Sequence, residues 1–125
     1  MNSRWYRKQC HWLLLFILGL SADLIAADDA FPMLKDSRLL QPDRVLVLLA
    51  EIEDCSFCEQ VKDDFLLPLT MDPKWEPLFQ VMRIDLNSPQ MLMGFSAQKI
   101  SQQDLAMVLS ADFSPTLIFL NPRSG

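Results

Sequence analysis

Residues 45–59 read V-L-V-L-L-A-E-I-E-D-C-S-F-C-E. Val45 to Ala50 is an uninterrupted apolar run, too short for a free-standing helix and patterned like a strand buried on both faces. Beyond the cysteines, Glu59 to Leu69 places Val61, Phe65 and Leu69 on one stripe at fourfold spacing, with Lys62, Asp63 and Asp64 elsewhere. That spacing predicts an amphipathic helix beginning at the cysteine pair. Pro68 lacks a backbone donor, so it should kink or end this helix and leave the stretch to Trp75 irregular. The two cysteines therefore stand at a strand-to-helix junction. They can be a redox couple, half of a metal site, or two buried thiols that happen to be neighbours.

Working outward, F-Q-V-M-R-I-D-L (79–86) alternates apolar and polar residues with one shift, which predicts a second strand ending at Asn87-Ser88-Pro89. Residues 87–100 read as a long connection containing Met91, Met93, Gly94 and Phe95. Ser101 ahead of Gln102, Gln103 and Asp104 is a capping-type start, and Leu105, Val108 and Leu109 make the stripe of a second helix. Phe113-Ser114-Pro115 leads into T-L-I-F-L (116–120), a third strand, followed by the turn Asn121 to Gly125. Upstream, residues 28–44 form a lead-in segment with Pro32 and Pro42, room for one helical turn, and only Phe31, Met33, Leu34, Leu39 and Leu40 able to pack. The order strand, helix, strand, helix, strand predicts an α/β domain over residues 45–125. Its sheet should be parallel or largely parallel, with helices on its faces.

The chain has 125 residues, of which 50% are hydrophobic, enough for one small domain with a single core. Arg4, Arg7 and Lys8, the apolar stretch Trp12 to Leu20, and Ile25-Ala26-Ala27 before Asp28-Asp29 have the order of a secretory signal peptide, residues 1–27, cleaved after Ala27. The apolar segment is shorter than the roughly 20 residues of a membrane-spanning helix. If it stayed uncleaved it would anchor the same domain outside the membrane. Of 11 Lys+Arg and 16 Asp+Glu, cleavage removes Arg4, Arg7, Lys8 and Asp23, leaving 8 against 15 and a net charge of −7. No basic cluster remains to neutralise phosphates, which argues against nucleic acid as a partner. Cleavage also removes Cys10 and His11, the only histidine, so Cys55 and Cys58 become the only cysteines.

At the start of a helix, unpaired N–H groups and the dipole favour an anion, so Cys55 should be the more thiolate-like sulfur. Cys58 falls inside the first helical turn, close enough to form a disulfide and shielded from solvent. In such a pair one sulfur attacks a disulfide and the other resolves the mixed disulfide. Glu51, Glu53, Asp54 and Glu59 flank the pair with no cation in the stretch. Their repulsion disfavours a thiolate and points to a reductant or isomerase over a strong oxidant. A zinc site needs four ligands and the mature chain offers two thiolates without an imidazole. Cu(I) suits thiolates and thioethers, with Met91 and Met93 as further candidates, although methionines in a mixed apolar loop more often pack. A bridge closing so short a loop gains little as a structural staple in a binding module. Of the aromatic residues Phe57, Trp75, Phe95 and Phe113, only Phe57 is assigned to the site.

From Arg44 to Leu120 the chain resembles the thioredoxin-like superfamily, and more narrowly the exported thioredoxin-related proteins of the SoxW type. The resemblance rests on the apolar strand, D-C-S-F-C, the strand 79–86, the helix S-Q-Q-D-L-A and F-S-P-T-L-I-F-L. It implies a three-layer α/β/α fold and a thiol-disulfide oxidoreductase acting in the periplasm, with no cofactor beyond a redox-active Cys55–Cys58 disulfide. Cys55 would be the nucleophile and Cys58 the resolving thiol. Ser56, Phe57, Ser114 and Pro115 would contact the substrate, with a cis bond between Ser114 and Pro115. The implied partners are protein thiol or disulfide clients and a membrane electron donor. Asp54 stands where thioredoxin has tryptophan, and Leu49 where it has a buried aspartate, for which Glu51 or Glu53 is the nearest substitute. The family continues with an edge strand and a final helix that residues 121–125 do not supply. The resemblance therefore implies a C-terminally truncated domain with an exposed edge, one sheet face short of a helix and marginal stability.

Overall fold

The computed structural model describes residues 30–121 and Arg123. The expected signal peptide, with Cys10 and His11, lies outside the described residues.

β1 (Val45–Glu51) is the central strand of a three-stranded sheet, between β2 (Phe79–Asp85) and β5 (Thr116–Leu120). Leu46 to Ala50 are fully buried, as an unbroken apolar run requires. Alternate side chains feed two clusters. Leu46, Leu48 and Ala50 join Ile84, Leu92, Leu105 and Ala106, while Val47 and Leu49 join Phe31, Leu66 and Val81. β2 pairs with β1 in parallel without a break in register, from Val45↔Phe79 to Glu51↔Asp85. The shift in its apolar alternation is therefore not a bulge: Val81 belongs to one cluster and Ile84 to the other.

The sheet is mixed, which corrects the expectation of a largely parallel one. β5 runs antiparallel to β1, from Ala50↔Thr116 to Leu46↔Leu120. The reason lies in the loop before it. Ser114 Oγ accepts the backbone N–H of Ile52 at 3.2 Å, so this loop is held at the C-terminal end of β1 and the next strand must leave in the opposite direction. β5 lies at the edge of the sheet, with Phe119 exposed.

The long connection of residues 87–100 holds an antiparallel hairpin, β3 (Met91–Met93) with β4 (Lys99–Ser101). At its loop a Cβ on Gly94 would come within 2.9 Å of Ile100 Cγ2, which reserves the position for glycine. The lead-in segment is part of the fold. It has a single 3-10 turn at Ser37–Leu39, and Leu34 N–H and Pro32 C=O bond Arg83 along the outer edge of β2, burying Phe31 and Leu34.

Two helical predictions need correction. The first helix runs as α1 (Ser56–Val61), a π-helical turn (Lys62–Leu66) and α2 (Leu67–Met71), so it passes Pro68 instead of ending there. The π turn accommodates the proline, because the amide of Leu67 reaches back to the Lys62 carbonyl, five residues away. The wider turn also changes which residues face inward: Leu66 is 1% exposed and Phe65, the middle residue of the predicted stripe, is 64% exposed, whereas Val61 and Leu69 of that stripe pack against the core. α3 (Gln102–Val108) is capped by Ser101 Oγ, which accepts the Asp104 N–H at 3.0 Å. It buries Leu105 and Ala106 and leaves Val108 exposed, because the helix ends there. Ser110 N–H bonds the Met107 carbonyl and Ala111 N–H the Ala106 carbonyl.

Both sheet faces thus carry helical residues, Leu105 and Ala106 on one and Leu66 on the other, so neither face of the central strand is left without a helix.

Candidate functional site

Chain direction changes abruptly after β1. Asp54 takes a left-handed conformation with φ 57°, which aspartate tolerates better than a bulky aromatic side chain. This gives a local reason for aspartate before the first cysteine. Cys55 then caps α1: its Sγ accepts the backbone N–H of Cys58 at 3.2 Å.

Cys55 and Cys58 form a disulfide with their Cα atoms 5.2 Å apart. The two sulfurs are not equivalent. Cys55 is half-buried, whereas the Cys58 residue is 1% exposed. An approaching molecule therefore meets Cys55 first, and the helix amide at Cys55 Sγ favours charge on that sulfur once the bond opens.

The loop before β5 closes over the pair. The Ser114–Pro115 peptide bond is cis, as the resemblance implies. Ser114 Oγ lies 3.0 Å from Cys58 Sγ and 3.4 Å from Cys55 Sγ. In a disulfide neither sulfur carries a proton, so the hydroxyl donates and the sulfurs accept. Of the expected substrate-contacting residues, Ser56 and Phe57 are exposed between the cysteines on α1, and Ser114 and Pro115 are half-buried opposite them. Phe57 is 69% and Phe113 70% exposed. Phe113, adjacent to Ser114, is thus as exposed as Phe57, although only Phe57 is assigned to the site from the sequence. By contrast, Phe95 packs against the core and Trp75 packs with Phe79 and Lys74.

The charges around the pair are arranged differently from their order in the sequence. A cleft of about 930 Å³ beside Cys55 is lined by Glu51, Glu53, Asp54, Glu59, Lys62, Arg83 and Asp85, among others. Glu51 is buried and held by two cations, Lys62 Nζ at 2.9 Å and Arg83 Nη1 at 2.8 Å. Lys62 Nζ also meets Glu59 Oε1 at 2.8 Å. Glu53 and Asp54 remain exposed. Of the four flanking carboxylates, Glu51 and Glu59 are thus paired with cations that lie outside the stretch from Glu51 to Glu59. Lys62 follows Cys58 by one helical turn, and Arg83 sits in the neighbouring strand opposite Leu49. Arg83, the one cation in F-Q-V-M-R-I-D-L, was the available signal for the second.

Burial opposes the charge on Lys62, but hydrogen bonds to Glu59 and Glu51 and the attraction of both carboxylates outweigh it. Lys62 therefore holds its proton above the ordinary lysine value of 10.5. Glu51, not Glu53, is the carboxylate that the fold buries near the pair, two residues along the same strand face from Leu49.

Met91 and Met93 line a concavity with Lys35, Asp36, Leu92 and Lys99, separate from the cleft beside Cys55. Among the described residues no group of three or more His, Cys, Asp or Glu is placed to hold a metal ion, and no helix is long and apolar enough to cross a membrane.

Fold and site together define a mixed α/β protein carrying a C-x-x-C disulfide at the end of its central strand, facing a cis-proline loop. Neither a family model nor a curated protein nor a solved structure matches the chain.

Proposed function

We propose that the protein is an exported thiol-disulfide oxidoreductase of thioredoxin-like fold that reduces protein disulfides. One observation carries the reading: an asymmetric disulfide at a strand-to-helix junction has both sulfurs within 3.4 Å of the Ser114 hydroxyl, next to cis-Pro115. The strand order β2-β1-β5, with β5 antiparallel and helical residues against both faces of β1, supports the thioredoxin-like arrangement. Cys55, the accessible sulfur, attacks a client disulfide. Cys58 then attacks Cys55 in the mixed disulfide and releases the reduced client. Ser56, Phe57, Ser114 and Pro115 receive the client chain, and the Ser114 hydroxyl hydrogen-bonds the sulfur on which charge develops. On this reading residues 1–27 are the export signal. The domain works in the periplasm, where a reductant needs electrons from a membrane partner.

Equilibration of the pair in a glutathione buffer series tests the direction of electron flow. A reductase is expected to lie near about −270 mV, and a value near about −120 mV would make the protein an oxidant instead. Ser114→Ala removes one hydrogen bond from the sulfurs. It is expected to slow client reduction roughly three- to tenfold, the worth of one net hydrogen bond. An unchanged rate would leave Ser114 with only its bond to the Ile52 amide.

A further inference from the structure

Three features converge on one residue. Lys62 stands one turn after Cys58 on the same helical face, and it begins the π turn that lets the chain pass Pro68. Although a lysine, it is only 4% exposed. Its ammonium lies 2.9 Å from Glu51 Oε2 and 2.8 Å from Glu59 Oε1, and the residue lines the same cleft as Cys55. Burying a lysine is costly, and a pair whose only purpose is stability is commonly replaced by apolar packing without loss. The position therefore calls for a use of the charge.

We propose that Lys62 is an electrostatic positioning residue for the cysteine pair, presenting a fixed buried cation that stabilises the Cys55 thiolate of the reduced pair. The inference rests on the oxidoreductase reading for its biological use, though not for its measurement. When a dithiol reduces the pair, it gives two electrons to the Cys55–Cys58 bond and itself becomes a disulfide. Its first sulfur bonds Cys55 and displaces Cys58, which takes up one proton; its second sulfur then closes the new disulfide and displaces Cys55 as the thiolate, the other proton passing to solvent.

The charges lining the cleft come from every element around it. Glu51 belongs to β1, and Glu53 and Asp54 to the turn after it. Glu59 and Lys62 belong to the first helix, and Arg83 and Asp85 to β2. Without Lys62 the carboxylates Glu53, Asp54, Glu59 and Asp85 would face Arg83 alone, whose guanidinium is already engaged with Glu51 and the Phe31 carbonyl. Because Lys62 keeps its proton above 10.5, its charge is constant through the whole range in which a thiol titrates. It acts as a fixed field and not as a proton donor. Glu51 has the opposite effect, since it holds the cation in place and also offsets it.

The full chain reduced with dithiothreitol, with iodoacetamide labelling of Cys55 followed by mass spectrometry across a pH series, reads the thiolate fraction of that residue. Lys62→Met is expected to raise the Cys55 thiol pKa by about one unit, cutting the thiolate at neutral pH to about a tenth. Lys62→Arg, which keeps the charge, is expected to restore the wild-type profile, and Glu51→Gln to move it below wild type. A folded Lys62→Met protein with an unshifted profile, whatever its thermal midpoint, overturns the proposal. If Lys62→Met does not fold, Glu51→Gln decides: a profile that stays or moves upward overturns it. Failure of the wild-type protein to exchange with client disulfides would sink the oxidoreductase reading separately, because the labelling profile needs no client.

Discussion

Cys58→Ser is expected to turn the protein into a trap: Cys55 attacks a client disulfide, and the mixed disulfide then persists. In the native pair the second attack is intramolecular. Its effective concentration, of order 10⁵ M or more for well-oriented groups, far exceeds that of any millimolar thiol in solution. Removing Cys58 should therefore slow release at least about a thousandfold. Covalent adducts that disappear on reduction and all map to Cys55 would be seen on non-reducing gels and by mass spectrometry. Cys55→Ser should form none, because Cys58 is buried beneath the helix start. A protein in which the pair is a structural staple or a Cu(I) clip would give no adducts with either variant, and that outcome would end the oxidoreductase reading.

The second large effect concerns the π turn. Leu66→Ala is expected to cost about 2–5 kcal/mol, the usual toll of emptying a fully buried leucine site, whereas Phe65→Ala should stay within about 0.5 kcal/mol. The first figure is a large share of the roughly 5–15 kcal/mol that holds a small domain together. Urea midpoints of the two variants against wild type read both numbers. A larger loss for Phe65 than for Leu66 would mean that the helix follows a regular α register through Pro68 and that the π turn is absent.

Much of this architecture could be read in advance, for reasons that differ from element to element. β1 was legible because a strand covered on both faces needs an unbroken apolar run, and Val45 to Ala50 is one. Ser101 announced α3 because capping is a local interaction between neighbours in the chain. The hairpin within residues 87–100 was missed because its strands have three residues each, too few for alternation to show. Phe65 misled because a fourfold stripe assumes a regular helix. The π turn two residues ahead of Pro68 changes the hydrogen-bond span without changing the apolar content.

At the candidate site the same division holds. The C-x-x-C spacing, the strand before it, the helix after it and the Ser-Pro-Thr ahead of β5 are all short-range patterns, and each was readable from residues close together in the chain. The sequence by itself thus determined that two cysteines lie one turn apart at a helix start, which of them opens the helix, and which loop carries the proline. Tertiary structure alone decided the direction of β5, the contact of Ser114 with both sulfurs, and the field around them. Glu51, Lys62 and Arg83 come from a strand, a helix and a second strand, as many as 32 residues apart. Charge acts through distance in space, so a flank that reads as purely acidic along the chain becomes, once folded, a cleft in which two of its carboxylates are held by the buried Lys62 and the half-buried Arg83.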